Sequence, residues 1–268
     1  MADAAKETSH VAVERDGSLF ILPTRQKGGI DRFLKPEWKE TRHLQRALEA
    51  LERHAPEVPR TVFLDVGAHI GTTAITAVRR FGFESALAFE PELSNFRLLR
   101  ANLEMNGLDG RIHAMNVAVS NRVGTAELKL RPSMGSKQRL VEGDEPGVTT
   151  VTVPLTTLDS LVAEGTLDPA KVGLLWLDIE GHELQALQGA ETLLRHSVPI
   201  VMEFIPRALL VEGRIAPLGS ALFEHYTHVV DLRQRVRGGP QLLRPEQLEQ
   251  LARRYERSFT DLLVFRHP

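Results

Sequence analysis

The chain has 268 residues, 42% of them hydrophobic and 25% charged, with a formal net charge of −2: enough for one large domain, and no global field for nucleic acid or an anionic membrane. It contains no cysteine, which excludes disulfides, thiolate metal sites and a cysteine nucleophile. No apolar run approaches the roughly 18 residues of a membrane span, and "MADAAKETSH" lacks the basic-then-apolar order of a signal peptide, so a soluble, cytoplasmic protein with small-molecule partners is expected.

In chain order, residues 11–22, "VAVERDGSLFIL", predict two short strands around the Asp16-Gly17 turn. From Trp38 to His54 the residues Leu44, Ala47, Leu48 and Leu51 recur at helical spacing until "APEVP" stops them. Residues 1–59 are therefore expected to form an N-terminal extension, and 60–268 the main domain.

Beyond residue 59 the pattern changes. "TVFLDV", "SALAFE", "RIHAMNVAV", "GLLWLDI" and "PIVMEF" are short apolar runs, separated by amphipathic stretches at 73–81, 94–105 and 183–195. Strands alternating with helices imply βαβ units and a parallel sheet covered on both faces. "GTAELKLR" and "TTVTVPL" alternate polar and apolar residues and predict a β-hairpin insertion, with 133–147 as its mobile connection. Final strands are expected at 226–232 and 261–266, with a charged helix at 245–257 between them.

The turn after the first core strand lies at the crevice of such a sheet, which places Asp65, Gly67 and Gly71 of "FLDVGAHIGTTAI" at a ligand site. Glu90, in "FEPE" at the end of the second strand, is spaced to accept the hydroxyls of a ribose. Asp65 would repel a pyrophosphate and attract the α-ammonium of a methionine moiety, directly or through water, so S-adenosylmethionine fits better than a dinucleotide. The Gly-x-x-x-Gly spacing also lacks the middle glycine of the dinucleotide fingerprint. Asn116, ending "IHAMN", is placed either to bond the adenine edge or to act as a turn residue. His69 is expected to shape the loop.

With "LDVGAHIGTTA", "AFEPELSNFRLLRANLEMN", "TTLDSL" and "LLWLDIEGHELQALQGAETLL" in this order, the chain resembles the FkbM family of S-adenosylmethionine-dependent methyltransferases over roughly residues 60 to 205. The resemblance implies an α/β, class I methyltransferase (Rossmann-like) fold with a seven-stranded, mostly parallel sheet and helices on both faces. It also implies O-methylation of a hydroxyl on a sugar, oligosaccharide or other natural product, with a small-molecule or glycan acceptor. Carried over residue by residue, the cofactor positions are Asp65, Gly67, Ala68, Gly71, Glu90 and Asn116, and "DIEGHE" supplies Asp178, Glu180, His182 and Glu183 at the active-site edge. "PEWKE" resembles the segment before the family's first core helix, so Trp38 and Glu40 are expected to close over the cofactor. One departure is visible: Trp176 stands where the family commonly has a lysine.

A sugar hydroxyl needs a general base or a metal to lower its pKa. Asp178 ends the fourth core strand, His182 begins the next helix and Glu203 ends the fifth strand, so these three are the catalytic candidates. Asp178, Glu203 and Glu180 are also candidate oxygen ligands for a magnesium ion. Glu183 reads as a first-turn helix carboxylate. "DLRQRVRGG" at 231–239 could grip an anionic acceptor or guard a strand edge. Two other readings stand beside the methyltransferase: a nicotinamide-dependent oxidoreductase on a similar sheet, and a catalytically silent nucleoside-binding module.

Overall fold

The computed structural model of the chain describes residues 9–24, 33–34, 39–130, 139–141, 149–211, 213–234, 242–243 and 247–267. Strands β1 (His10–Arg15) and β2 (Ser18–Pro23) form an antiparallel hairpin. Asp16 and Gly17 both take positive φ (53° and 76°), as a two-residue turn matched to strand twist requires. Helix α1 (Lys39–His54) follows, and its stripe of Leu44, Ala47, Leu48 and Leu51 is buried.

The core alternates as its hydrophobic pattern predicts: β3 (Val62–Val66), α2 (Thr72–Arg80), β4 (Ser85–Phe89), α3 (Leu93–Met105) and β5 (Ile112–Met115). An insertion of β6 (Ala118–Val119), β7 (Gly124–Lys129), β8 (Arg139–Val141) and β9 (Thr150–Thr156) comes next. The chain continues with α4 (Leu158–Ala163), β10 (Val172–Leu177), α5 (Glu183–Gln188), α6 (Glu191–Arg195), β11 (Ile200–Phe204), α7 (Pro206–Val211) and α8 (Ile215–Phe223). It closes with β12 (His228–Asp231), β13 (Leu242–Leu243), α9 (Leu248–Arg254) and β14 (Thr260–Phe265).

The main sheet runs β13-β12-β14-β11-β10-β3-β4-β5. Seven of these strands make the expected sheet, β14 antiparallel to both its neighbours, and the two-residue β13 extends the edge. Every residue of β10, β11 and β14 is buried, because apolar layers cover both faces. Leu64, Leu175, Ile200 and Leu262 pack in one layer, and Phe63, Trp176, Val201 and Leu263 in the other. The chain winds outward from β3 to β5 and returns beside β3 as β10. The order therefore reverses between β3 and β10, which opens the crevice above their carboxyl ends.

Three expectations need correcting. The insertion contains the predicted antiparallel pair, β7 with β9, but β6 and β8 complete a separate four-stranded sheet. Of the connection expected at 133–147, residues 139–141 are strand β8, and the rest lie outside the described residues. The helix expected over 183–195 is broken at Gly189, where a Cβ would stand 2.1 Å from the Ser120 carbonyl oxygen. Asp159 then caps the new start, its two carboxylate oxygens accepting from the amides of Glu191 and Thr192 at 3.0 and 2.8 Å.

Candidate functional site

The segment after β3 is held at nearly every residue. The amides of Gly67 and Ala68 both donate to the Phe89 carbonyl at 3.0 and 2.9 Å, and that of Gly71 donates to Ala68 at 2.7 Å. Gly67, His69 and Gly71 have φ of 89°, 52° and 88°, left-handed values that glycine supplies freely and histidine adopts only under constraint. A Cβ on Gly67 would meet the Asp178 carbonyl oxygen at 2.1 Å, and one on Gly71 would meet Leu99 Cδ1 at 2.5 Å. The first glycine lets β3 and β10 touch backbone to backbone above the sheet; the second lets α2 lie close on α3.

Asp65 is buried beneath this turn, and its Oδ2 accepts from the Ala74 amide in the first turn of α2 at 2.9 Å. Burial lifts its pKa to about 7 against that hydrogen bond, with neighbouring Glu90 adding to the rise. Glu90 is equally buried: Oε2 accepts from the His69 amide at 2.9 Å, and Oε1 from the Glu92 amide at 3.0 Å and Asn95 Nδ2 at 3.3 Å. Its pKa too is raised to about 7, by burial first. The His69 ring is held neutral at pH 7, its pKa lowered to about 4 by burial, and its role is to shape the turn. Asn116 donates from Nδ2 to the Glu90 and Pro91 carbonyls at 2.8 and 2.9 Å, so its amide group is committed to the loop that carries Glu90.

Across the crevice, the Asp178 amide donates to Val66 at 3.0 Å, continuing the β3–β10 ladder past its end. The chain then turns sharply through Glu180 and Gly181, at φ of 53° and 101°. Glu183 folds back over this turn, and its Oε1 accepts from the Ile179 and Gly181 amides, each at 3.2 Å. Burial raises its pKa to about 7. His182 packs Nε2 against Ser120 Oγ at 2.9 Å, joining the turn to the insertion sheet. Burial and the charge of Arg214 lower its pKa to about 4, so it is neutral at physiological pH.

Asp178, Glu180 and Glu203, just beyond β10 and at the end of β11, each present a carboxylate oxygen within 4.8 Å of the others. Three oxygen donors so close demand a cation, a proton or hydroxyl donors among them. All are hard oxygen ligands, the kind that hard divalent cations take in preference to softer ones.

The structure thus gathers Asp65, Gly67, Ala68, Gly71 and Glu90 into one turn, and Asp178, Glu180 and Glu203 into a second group opposite it. Trp176 is buried on the sheet face beside Asp65, its register partner, so no side chain at that position reaches the crevice as a cation. Glu40 lies in the first turn of α1, but its side chain, and all of Trp38, fall outside the described residues. Of the arginine-rich segment only 231–234 is described, and there Arg233 donates to the Phe259 carbonyl at 2.8 Å. Sequence reasoning missed Ser120, the partner of His182, and the buried pair of His43 on α1 with Asp261 on β14. Asp261 is the register partner of Glu203, so this pair borders the carboxylate group. Its one sequence signal was a histidine on the apolar stripe of α1.

Residues 65–226 match the Methyltransferase FkbM domain. Methyltransferase sdnD of Sordaria araneosa is 27% identical over 161 residues, covering 50% of this chain and 62% of that protein. The chain thus spans about three-fifths of that relative's length. Among solved structures, P. horikoshii TYW2 in complex with MeSAdo aligns with 96% of this chain and 72% of its own at 14% identity and a TM-score of 0.47. StiE O-MT residues 961–1257 align with 89% of this chain and 79% of that one at 11% identity and a TM-score of 0.44. With the domain match spanning most of the chain, and the turn, the acidic strand end and the seven-stranded order in place, the chain belongs to the FkbM family of S-adenosylmethionine-dependent methyltransferases.

Proposed function

We propose that the protein transfers the methyl group of S-adenosylmethionine to a hydroxyl of a sugar, oligosaccharide or other natural product, and that it does so in the cytoplasm. One observation carries the choice of a hydroxyl: the oxygens of Asp178, Glu180 and Glu203 lie within 4.8 Å of one another, at a strand end whose backbone meets the glycine turn at Gly67. Amines bring their own lone pair, whereas a hydroxyl needs its proton removed, and a carboxylate group beside the methyl is suited to that task.

In this reading Glu90 accepts the ribose hydroxyls, and Asn116, its amide hydrogens committed to backbone carbonyls, offers Oδ1 to the adenine amino group. Asp65, whose proton burial retains up to about pH 7, favours the methionine ammonium through water once that charge draws the proton off. The backbone contact of Gly67 with Asp178 keeps the cofactor turn and the acceptor side at fixed separation, which in-line displacement requires. Asp178 takes the acceptor proton as the oxygen attacks the methyl carbon. The bond from carbon to sulfur breaks with its electron pair on sulfur, leaving S-adenosylhomocysteine. His182, neutral and bonded to Ser120, fixes the turn on which Asp178 sits. A magnesium ion held by Asp178, Glu180 and Glu203 would acidify and orient a substrate diol.

Calorimetry with S-adenosylmethionine, S-adenosylhomocysteine and NAD tests the cofactor. Labelled methyl transfer into glycan and polyketide extracts, with the product's linkage determined, tests the acceptor. Label on nitrogen or carbon instead of oxygen would overturn the hydroxyl assignment.

A further inference from the structure

Two asparagines stand one turn apart at the end of α3, Asn102 within the helix and Asn106 at its C-cap, at 0% and 7% exposure. Asn106 Nδ2 donates back to the Asn102 carbonyl at 2.7 Å, and both side chains also reach beyond the helix. Asn106 accepts from the Leu19 amide at 3.0 Å and donates to the Leu19 carbonyl at 2.7 Å. Asn102 Oδ1 accepts from the Ile21 amide at 2.7 Å, while its Nδ2 reaches the Ile21 carbonyl at 3.5 Å. Four helical residues advance about 6 Å, and two strand residues about 6.7 Å. Side-chain amides at this spacing therefore match the outward-facing groups of alternate strand residues. The two asparagines stand in for a neighbouring strand on the open edge of β2, and so cover an edge that would otherwise invite pairing.

Asn102 does one thing more. The same Nδ2 donates to the Ile70 carbonyl at 2.9 Å. Ile70 sits between the left-handed His69 and Gly71, in the part of the turn most in need of external restraint. Glu90 holds the His69 amide on one side, and Asn102 holds the next carbonyl on the other. Both atoms of one buried amide thus bridge the hairpin strand to the cofactor turn.

We infer that Asn102 is a positioning residue for the cofactor, and that the N-terminal hairpin is through it a working part of the cofactor site. The inference rests on the reading that the glycine turn holds S-adenosylmethionine. Asn106 provides the internal control, since it binds the same strand without touching the turn.

The test is titration calorimetry of the full chain with S-adenosylhomocysteine, alongside thermal unfolding. Asn102→Asp keeps the acceptor for Ile21 but sets a carboxylate against the Ile70 carbonyl, and affinity is expected to fall about tenfold, the scale of one well-made hydrogen bond. Asn106→Leu is expected to lower Tm while leaving affinity within about twofold. Ile21→Pro replaces the hairpin's donor with a ring that displaces Asn102 Oδ1, breaking the link from the hairpin side, and is expected to weaken binding about threefold. If Asn102→Asp binds as tightly as Asn106→Leu, Asn102 is a structural staple and the inference is overturned. Should Asn102→Asp fail to fold, unchanged affinity in Ile21→Pro overturns it equally. A wild-type chain that binds no S-adenosylhomocysteine sinks the cofactor reading instead, a result distinct from either.

Discussion

Gly67 and Asp178 meet backbone to backbone: a Cβ on the glycine would stand 2.1 Å from the aspartate carbonyl oxygen. The contact joins the proposed cofactor turn to the strand end proposed for the acceptor side, and the Val66–Asp178 hydrogen bond at 3.0 Å closes it from below. Gly67→Ala both strains a residue at φ 89° and forces these strand ends apart. Overpacking of this kind costs about 1–3 kcal/mol and a left-handed non-glycine residue about 1 more. Unfolding in urea is expected to show a loss of about 2–4 kcal/mol, with S-adenosylhomocysteine binding weakened at least about tenfold. Wild-type affinity in the variant would show that the contact does not set the site.

Burial holds Asp65, Glu90 and Glu183 protonated up to about pH 7 in the folded chain, whereas ordinary carboxylates lose their protons near 4. Between those values the folded state binds more protons than the unfolded one, so stability falls as pH rises. This is the reverse of the usual carboxylate case. The ligand-free protein is expected to lose Tm between about pH 5 and 7.5. Glu183→Gln keeps an oxygen for the Ile179 and Gly181 amides but cannot ionise. It should match the wild type near pH 5 and exceed it at pH 8 by on the order of 1 kcal/mol. A variant whose pH profile parallels the wild type would assign the slope to other groups.

Ligand binding should titrate with the opposite sign. In the proposed site ribose hydroxyls would donate to Glu90 and favour its ionised form, so binding would expel the proton that burial retains. S-adenosylhomocysteine affinity is expected to rise about tenfold from pH 6 to 8, with protons released in calorimetry across buffers of different ionisation heat. Glu90→Gln should flatten this dependence and weaken binding at pH 8 by about 1.5–3 kcal/mol, the value of charge-assisted bonds. Full-strength binding by that variant would remove Glu90 from the ribose.

What was legible in the sequence was what local pattern encodes. Apolar runs gave the strands, the two glycines gave the turn, and Asp16-Gly17 gave the hairpin. The hidden parts depend on distant partners. Asn102 and Asn106 read as polar positions of an amphipathic helix, and only the hairpin's arrival 81 and 87 residues away in sequence makes them a strand edge. His43 finds Asp261 across 218 residues. The break at Gly189 was equally invisible, since helix propensity tolerates one glycine, and the Ser120 carbonyl that excludes a Cβ comes from the insertion.

On the acceptor side, Asp178→Asn is expected to keep cofactor affinity within a few-fold while cutting turnover about 10²-fold or more, the usual scale for a lost base. His182→Ala loses the bond to Ser120 and loosens the turn, so a smaller fall in rate is expected together with a Tm decrease worth about 1 kcal/mol. A rate loss in His182→Ala as large as in Asp178→Asn, at unchanged Tm, would make the histidine the base.

The last expectation concerns a divalent ion. The oxygens of Asp178, Glu180 and Glu203 lie within 4.8 Å of one another, and magnesium, which binds at about 2.1 Å, would need them to draw closer while keeping waters or substrate oxygens in its other positions. Hydroxyls of the acceptor could instead satisfy the same carboxylates, in which case no ion is needed. The two cases separate cleanly. If the ion takes part, exhaustive EDTA treatment abolishes turnover, magnesium restores it, and Glu203→Gln raises the magnesium concentration required without changing S-adenosylhomocysteine affinity. If the stripped enzyme runs at its full rate, the carboxylates act on the acceptor directly, and Asp178 removes the proton unaided.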